Sequence, residues 1–285
     1  MRANSLLAAG LARTYRYMPR AAGYVHTSIF ANTRALGRFP DDLCPLGARQ
    51  IDLCGVPRVS AVYVWGHDDP SVLALHGWGA DSTTMLNVAH SALANGGSTI
   101  CFDAPGHGIS PGSQATLTEY SDAVISVLQR FPSIHTIVAH SLGSIAAVSA
   151  VAKCRSTNIR KVLLLAPTCT LAGVMNRWAS QRGLPGGLLM QMYRESLRRN
   201  GFPMSYWDIR TLGLPSEIEL RILHDPTDEQ VPVSDSYQIA AAMSAEVCET
   251  APGTGHYGVL SCGEMHNAVA LSLKSRTDYA RRSHV

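Results

Sequence analysis

The most informative segment for the fold is Ala139-His140-Ser141-Leu142-Gly143, because it joins a strand-like apolar run to a run rich in Ala and Val that predicts a helix. The pattern is a strand–turn–helix elbow, G-x-S-x-G, with Ala139 in place of the first glycine. Small residues are needed at both ends because the turn is tight, and the turn lifts the serine oxygen clear of the sheet. Ser141 is therefore a candidate nucleophile, although serine is also an ordinary helix N-cap.

Short apolar runs alternate with longer helical patterns on both sides of this elbow. The predicted strands are residues 50–54, 60–65, 72–76, 98–102, 135–140, 161–166, 218–223 and 246–250. The predicted helices between them are 83–94, 117–129, 142–153, 234–243 and 262–274. The first two strands are close enough for an antiparallel hairpin, whereas the later, continuously apolar strands are typical of parallel strands buried on both faces. The sequence predicts an α/β fold with a mostly parallel eight-stranded sheet flanked by helices.

One segment, residues 167–215, is far longer than the roughly dozen residues that a crossover between parallel strands needs. We expect a helical cap or lid inserted into a core of residues 48–166 and 216–275. The core would follow an N-terminal helical arm (1–47) and precede a basic tail (276–285). Four large side chains of the insertion are candidates for a substrate pocket, although plain packing is the simpler interpretation: Trp178, Met190, Tyr193 and Trp207.

Composition excludes several classes of protein. With 46% hydrophobic and 16% charged residues in 285, the chain is not intrinsically disordered. The net charge of +3 is too small to predict nucleic acid as a partner, and six arginines with no acidic residue lie in the first forty positions. Seven cysteines without a CxxC pair predict no metal site, and no cofactor is expected.

The sequence also bears on location. No apolar run approaches the ~18 residues of a membrane-spanning helix, so no integral membrane segment is expected. We expect a cytoplasmic protein. An N-terminal targeting segment is the alternative, because the first residues are rich in arginine and lack acids.

Two downstream loops carry the partners that a serine nucleophile needs. The strand 218–223 runs into His224-Asp225-Pro226-Thr227-Asp228-Glu229, and a glycine-rich loop after the last strand contains His256. His256 is the predicted general base and Asp228 the acid that orients it, with Asp225 and Glu229 as rivals in the same loop. The backbone N–H groups of Trp78 and Leu142 are the predicted oxyanion-hole donors.

Over about residues 50–275 the chain resembles the serine α/β-hydrolase superfamily, in its esterase- or lipase-like members with a helical cap. The resemblance rests on His76-Gly77-Trp78-Gly79, on Asp103-Ala104-Pro105-Gly106-His107-Gly108-Ile109-Ser110, on the elbow, and on the Asp228/His256 pair. It implies the α/β-hydrolase fold and a Ser141-His256-Asp228 catalytic triad. The spacing from Asp228 to Val231-Pro232 matches the family pattern, which favours Asp228 over its rivals as the acid. The second block is implied to be a supporting turn. The arginine-rich N-terminal extension departs from the basic pattern.

The expected activity is hydrolysis of a small-molecule ester or thioester by a carboxylesterase-like enzyme. A thioesterase, a C–C bond hydrolase or an acyltransferase would use the same triad. A ligand-binding, receptor-like protein with little turnover is the alternative of another class. The sequence does not decide whether the protein forms a homodimer through the arm or the cap.

Overall fold

The computed structural model describes residues 15–34, 44–53, 55–60, 62–154 and 158–274. The predicted basic tail, residues 276–285, lies outside these described residues. So do residues 1–14 and 35–43 of the predicted arm.

Eight strands form one sheet in the order β1-β2-β4-β3-β5-β6-β7-β8. The strands are β1 (Arg49–Ile51), β2 (Val62–Trp65), β3 (Val72–Leu75), β4 (Thr99–Phe102), β5 (Thr136–His140), β6 (Lys161–Leu165), β7 (Glu219–His224) and β8 (Glu246–Glu249). β1 pairs antiparallel with β2, β2 pairs antiparallel with β4, and every other pair is parallel. The predicted fold class, a mostly parallel eight-stranded sheet, is confirmed.

Helices cover both faces of this sheet. Those of the described residues are α1 (Pro19–Phe30), α2 (Leu86–Ala94), α3 (Leu117–Arg130), α4 (Gly143–Lys153), α5 (Leu171–Gln181), α6 (Gly186–Asn200), α7 (Ile209–Leu212), α8 (Ser234–Met243), α9 (Gly255–Gly258) and α10 (Gly263–Leu273). Side chains of α3, α4 and α8 share one apolar cluster with one face of the strands, and side chains of α2 and α10 share a second cluster with the other face. The helix predicted over 83–94 begins with a 3₁₀ turn, Ser82–Met85, and the Asp81 side chain caps this turn by accepting from the Thr83 N–H.

Alternation between the two clusters explains why the central strands are apolar along their whole length. In β3, Leu73 and Leu75 enter the first cluster while Val72 and Ala74 enter the second. Strands buried on both faces have no solvent side to carry polar residues. Because β3, β5 and β7 run parallel, their carboxyl ends lie along one edge of the sheet, where such folds collect functional groups.

Residues 166–218, between β6 and β7, hold α5, α6, a short 3₁₀ turn (Met204–Tyr206) and α7. The N-terminal helix α1 packs directly on α6. At the crossing point a Cβ added to Gly23 would lie 2.6 Å from Gln191 Cβ, so glycine permits the close approach. Among the described residues, no helix is both long enough and apolar enough to cross a bilayer.

Candidate active site

Ser141 lies in the tight turn between β5 and α4. Its φ of 53° is in the left-handed region, where a residue with a Cβ has a higher conformational free energy than glycine. The turn is held by hydrogen bonds from the Ser141 N–H to the Leu165 carbonyl (2.9 Å) and from the Ser144 N–H to the Ser141 carbonyl (3.0 Å). A Cβ on Gly143 would lie 2.5 Å from the His76 carbonyl oxygen, which explains why the elbow ends in glycine.

Three side chains from three separate loops meet at this turn. His256 Nε2 lies 3.0 Å from Ser141 Oγ, and His256 Nδ1 lies 2.7 Å from Asp228 Oδ2. All three residues are buried, with 7–8% of their surface exposed. Because a carboxylate only accepts, Nδ1 carries the proton and Nε2 presents a lone pair to the serine hydroxyl. This arrangement can remove the Ser141 proton.

The loop after β7 separates the two candidate acids by role. Asp225 Oδ1 accepts from the Thr227 N–H at 2.8 Å, and its Oδ2 accepts from the Gly255 N–H, so it ties two loops together. Asp228 reaches the imidazole instead, and its Oδ1 accepts from the N–H groups of Gln230 (2.7 Å) and Val231 (3.0 Å).

Asp228 is held in its ionised form. Burial by itself would raise the pKa of this carboxyl, but hydrogen bonds from His224 and His256, together with the Val231 N–H, outweigh it and hold the pKa well below its usual range. The His224 contact was not predicted from the sequence. His224 is fully buried at the end of β7, with Nε2 3.3 Å from Asp228 Oδ2 and 3.0 Å from the Val231 carbonyl.

The two predicted oxyanion donors line the cleft beside Ser141. Leu142 follows Ser141 directly, and Trp78 lies in the loop after β3. Within the described part of the chain, neither backbone N–H is paired with a protein acceptor. Between them the backbone is crowded, since a Cβ on Gly77 would lie 3.0 Å from His140 Nδ1 and 3.1 Å from Ser141 Cβ.

The turn at 103–110 supports this loop from behind. Asp103 Oδ1 accepts from the N–H (2.8 Å) and the hydroxyl (2.7 Å) of Ser82, and Oδ2 accepts from the Ile109 N–H at 2.8 Å. His76 Nε2 accepts from the Ala104 N–H at 3.0 Å. These bonds hold the loops after β3 and β4 together.

Two buried histidines near the site stay neutral. Burial lowers the pKa of His107 and of His140 to about 3. His140 Nε2 lies 2.9 Å from the His256 carbonyl, so its N–H donates there and helps to hold the loop of His256 in place. Across the described ranges, no three His, Cys, Asp or Glu side chains gather in a group that could hold a metal ion.

Ser141 and His256 open onto a cleft of about 400 Å³. Its walls come from the elbow, the loop holding Trp78, helix α5 and the chain around Phe30. Of the four pocket candidates in the insertion, only Trp178 lines this cleft.

The other three pocket candidates lie elsewhere. Trp207 is fully buried in the apolar core, where it packs edge-on against Phe202 and Tyr206. Tyr193 donates its hydroxyl to Asn176, and Met190 is 52% exposed on α6. The amino-acid composition of the insertion could not predict which of these side chains line the cleft, because core, surface and pocket positions all accept the same apolar side chains.

Sequence reasoning missed a contribution from the N-terminal helix. Ile29, Phe30 and Asn32 line the cleft, and Phe30 packs edge-on against Trp178 with 5.6 Å between ring centroids. No local signal marks these residues, because the contact joins positions far apart in sequence. His224 did carry a signal, since it ends a strand four residues before Asp228.

A family model described as "Alpha/beta hydrolase family" matches residues 72–270. The resemblance inferred from the motifs is confirmed by this match. A search of curated proteins gives no match to the chain.

Solved structures share the fold at low identity. The chain is similar to alpha/beta hydrolase domain-containing protein 10 from mouse (17% identity, TM-score 0.61, covering 82% of this chain and 98% of that one). It is also similar to a putative hydrolase from Agrobacterium vitis S4 (19% identity, TM-score 0.60, 81% and 100% covered). A third likeness is to the esterase PF2001 of Pyrococcus furiosus (17% identity, TM-score 0.56, 79% and 90% covered). At such identities the likeness concerns the fold.

Proposed function

The chain belongs to the α/β hydrolase family, and on that premise we propose that it is a serine hydrolase that cleaves carboxylic esters through an acyl-enzyme intermediate. The observation that carries the proposal is the unbroken series of hydrogen bonds from Ser141 through His256 to Asp228, located where the cleft opens. Nucleophile, base and orienting acid in hydrogen-bond contact are the requirement for activating a serine hydroxyl.

In the first half of the reaction, Ser141 Oγ attacks the carbonyl carbon of the ester while His256 Nε2 takes the hydroxyl proton. The imidazolium that forms is stabilised by the ionised Asp228 carboxylate 2.7 Å away. The bond from carbonyl carbon to the leaving oxygen then breaks, and His256 gives its proton to that oxygen. The alcohol leaves, and the acyl group stays on Ser141.

The negative charge that develops on the carbonyl oxygen needs fixed donors. The backbone N–H groups of Trp78 and Leu142 flank Ser141 and have no protein acceptor of their own in the described part of the chain. In this proposal they donate to that oxygen. Such donors contribute about 3–4 kcal/mol each to transition-state stabilisation.

Water completes the cycle. His256 takes a proton from a water molecule, whose oxygen attacks the acyl carbon, and the proton then returns to Ser141 Oγ as the acyl bond breaks. One ester and one water give one carboxylic acid and one alcohol. Thioesters are substrates for the same steps, with a thiol as the leaving group. Helix α5 lies over the cleft as the cap of this proposal, with Trp178 against the substrate.

The test is hydrolysis of p-nitrophenyl acetate and butyrate by the wild type and by Ser141→Ala. We expect a loss of at least about 10³-fold in kcat, because a triad acts as a unit. Ser144→Ala is the matched control. Ser144 is a buried serine in the first turn of α4, next to the elbow; its hydroxyl donates to the Ala139 carbonyl at 3.3 Å, and it does not line the cleft. A fluorophosphonate should label the wild type and the control but not Ser141→Ala.

Two outcomes would contradict the proposal. Turnover that survives Ser141→Ala would remove Ser141 as the nucleophile. Absence of both turnover and labelling in the folded wild type would favour a ligand-binding protein on the same fold.

A further inference from the structure

Helix α1 belongs to the wall of the cleft although it lies outside the residues matched by the family model. Thr27 of α1 donates to the Met192 carbonyl at 3.4 Å, and Arg199 of α6 donates to Ser28 Oγ at 2.6 Å and to the Tyr24 carbonyl at 3.3 Å. Gly23 of α1 also packs closely against Gln191 of α6. Together these contacts hold α1 against the insertion. The end of α1 therefore has a defined position next to the elbow.

A small second cavity of about 20 Å³ lies beside the cleft. Phe30, Trp78 and Leu142 line both spaces and so form the partition between them. The other residues that line this side compartment include the apolar Leu117, Leu171 and Met175, with Arg199 and Asn200 among its polar members. Most of its surface is apolar, and neither Ser141 nor His256 lines it.

Chemistry assigns the two sides of the cleft to the two halves of an ester. The leaving alcohol must receive a proton from His256 Nε2, so it occupies the part of the cleft that His256 lines. The carbonyl oxygen points toward the N–H groups of Trp78 and Leu142. The remaining substituent of the carbonyl carbon, the acyl chain, then extends past these two residues toward the side compartment.

We propose that the side compartment is the acyl subsite and that Phe30, supplied by the N-terminal helix, limits the length of the acyl chain. The inference rests on the proposed function and adds a substrate class to it, esters and thioesters of short, unbranched acids. A cavity of about 20 Å³ holds roughly one water-sized group, so it takes the terminal methyl of a short chain such as butyryl. A longer chain must displace the Phe30 ring from Trp178.

The experiment measures kcat/KM for p-nitrophenyl acetate, butyrate, hexanoate and octanoate with the wild type, Phe30→Ala, Phe30→Leu and Phe30→Trp. The wild type should favour butyrate. Phe30→Ala should raise the hexanoate-to-acetate ratio about tenfold, Phe30→Leu should raise it less, and Phe30→Trp should lower it. Val25→Ala is the matched control, since Val25 lies on the outer face of the same helix and lines neither cavity.

A ratio of kcat/KM values between two substrates does not depend on the fraction of enzyme that is folded. The ratio therefore distinguishes a change in substrate specificity from a loss of folded protein. An equal loss for all four esters, or a wild-type maximum at octanoate, would overturn the acyl-subsite assignment while leaving a Ser141-dependent hydrolase intact. Absence of Ser141-dependent hydrolysis would instead overturn the proposed function. If Phe30→Ala does not fold, the opposite shifts expected for Phe30→Leu and Phe30→Trp decide the question.

Discussion

His224 Nε2 lies 3.3 Å from the Asp228 oxygen that also accepts the hydrogen bond from His256 Nδ1. His224 is itself fixed, because its Nδ1 lies 2.6 Å from Ser236 Oγ and its Nε2 lies 3.0 Å from the Val231 carbonyl. Asp228 is thus contacted by two imidazoles at one carboxylate oxygen and by the backbone N–H groups of Gln230 and Val231 at the other. Its carboxylate is oriented before any substrate arrives.

His224→Leu should lower kcat about tenfold with little change in KM. The substitution removes the contact to the Asp228 carboxylate, an interaction of about 1.5–3 kcal/mol, together with the His224 contacts to Ser236 and to the Val231 carbonyl, and His224 does not line the cleft. Steady-state kinetics over pH 5–9 with p-nitrophenyl butyrate would measure the loss. Ser236→Ala, which removes only the support of His224, should cost less. An unchanged kcat for His224→Leu would show that Asp228 needs no second imidazole.

Asp228→Asn should lower kcat by about 10²–10⁴-fold, because the amide no longer stabilises the imidazolium of His256. Asp225→Asn is the control from the same loop. We expect it to retain most of the activity and to lose about 1–2 kcal/mol of stability, since it accepts from Thr227 and Gly255 backbone N–H groups. Kinetics and thermal unfolding on both variants test this, and the reverse order of activity losses would make Asp225 the acid.

Gly143→Ala should destabilise the protein by about 3 kcal/mol or more, or prevent folding. Its new Cβ would lie 2.5 Å from the His76 backbone oxygen, which has no room to move. Gly186→Ala is the control, since nothing lies within 4 Å of a Cβ there and the residue begins a helix. Chemical denaturation of both variants provides the comparison, and a fully stable Gly143→Ala would contradict the close packing of the elbow on the loop after β3.

The fold, and the meeting of Ser141, His256 and Asp228 in one place, could be predicted from sequence because both rest on local patterns. The apolar runs of β3 and β6 identify buried parallel strands, and the elbow around Ser141 needs small residues at fixed spacing. The cleft wall could not be predicted in the same way. Trp178 and Trp207 are both tryptophans of one insertion, yet one faces the cleft and the other the core. Phe30 reaches the site only because α1 folds back on α6.

Acid should unfold the protein through its buried histidines. Burial lowers the pKa of His107 from 6.5 to about 3, so between these values the unfolded chain binds a proton that the folded protein does not. The free energy of unfolding therefore falls as pH falls, by about 1.4 kcal/mol per pH unit for this one group. His140 contributes in the same direction, since burial also lowers its pKa to about 3.

Denaturation at pH 4–7 would measure this dependence. His107→Asn, whose amide can still donate to the Pro105 carbonyl that His107 Nδ1 contacts at 3.0 Å, should flatten the slope by about one proton. His67→Asn, at an exposed position, should leave it unchanged. Parallel slopes for the wild type and His107→Asn would contradict the buried, neutral state of His107.

The left-handed backbone of Ser141 has a consequence for how this protein can be stabilised. At a φ of 53° glycine is the residue that folding prefers, and serine costs about 1–2 kcal/mol relative to it. Ser141→Gly should therefore melt at a higher temperature than the wild type, whereas Ser141→Ala keeps the strain. Selection for thermal stability alone would favour glycine at position 141, and under the proposed function that variant has no nucleophile. A search for stabilised variants must therefore measure turnover as well as melting temperature.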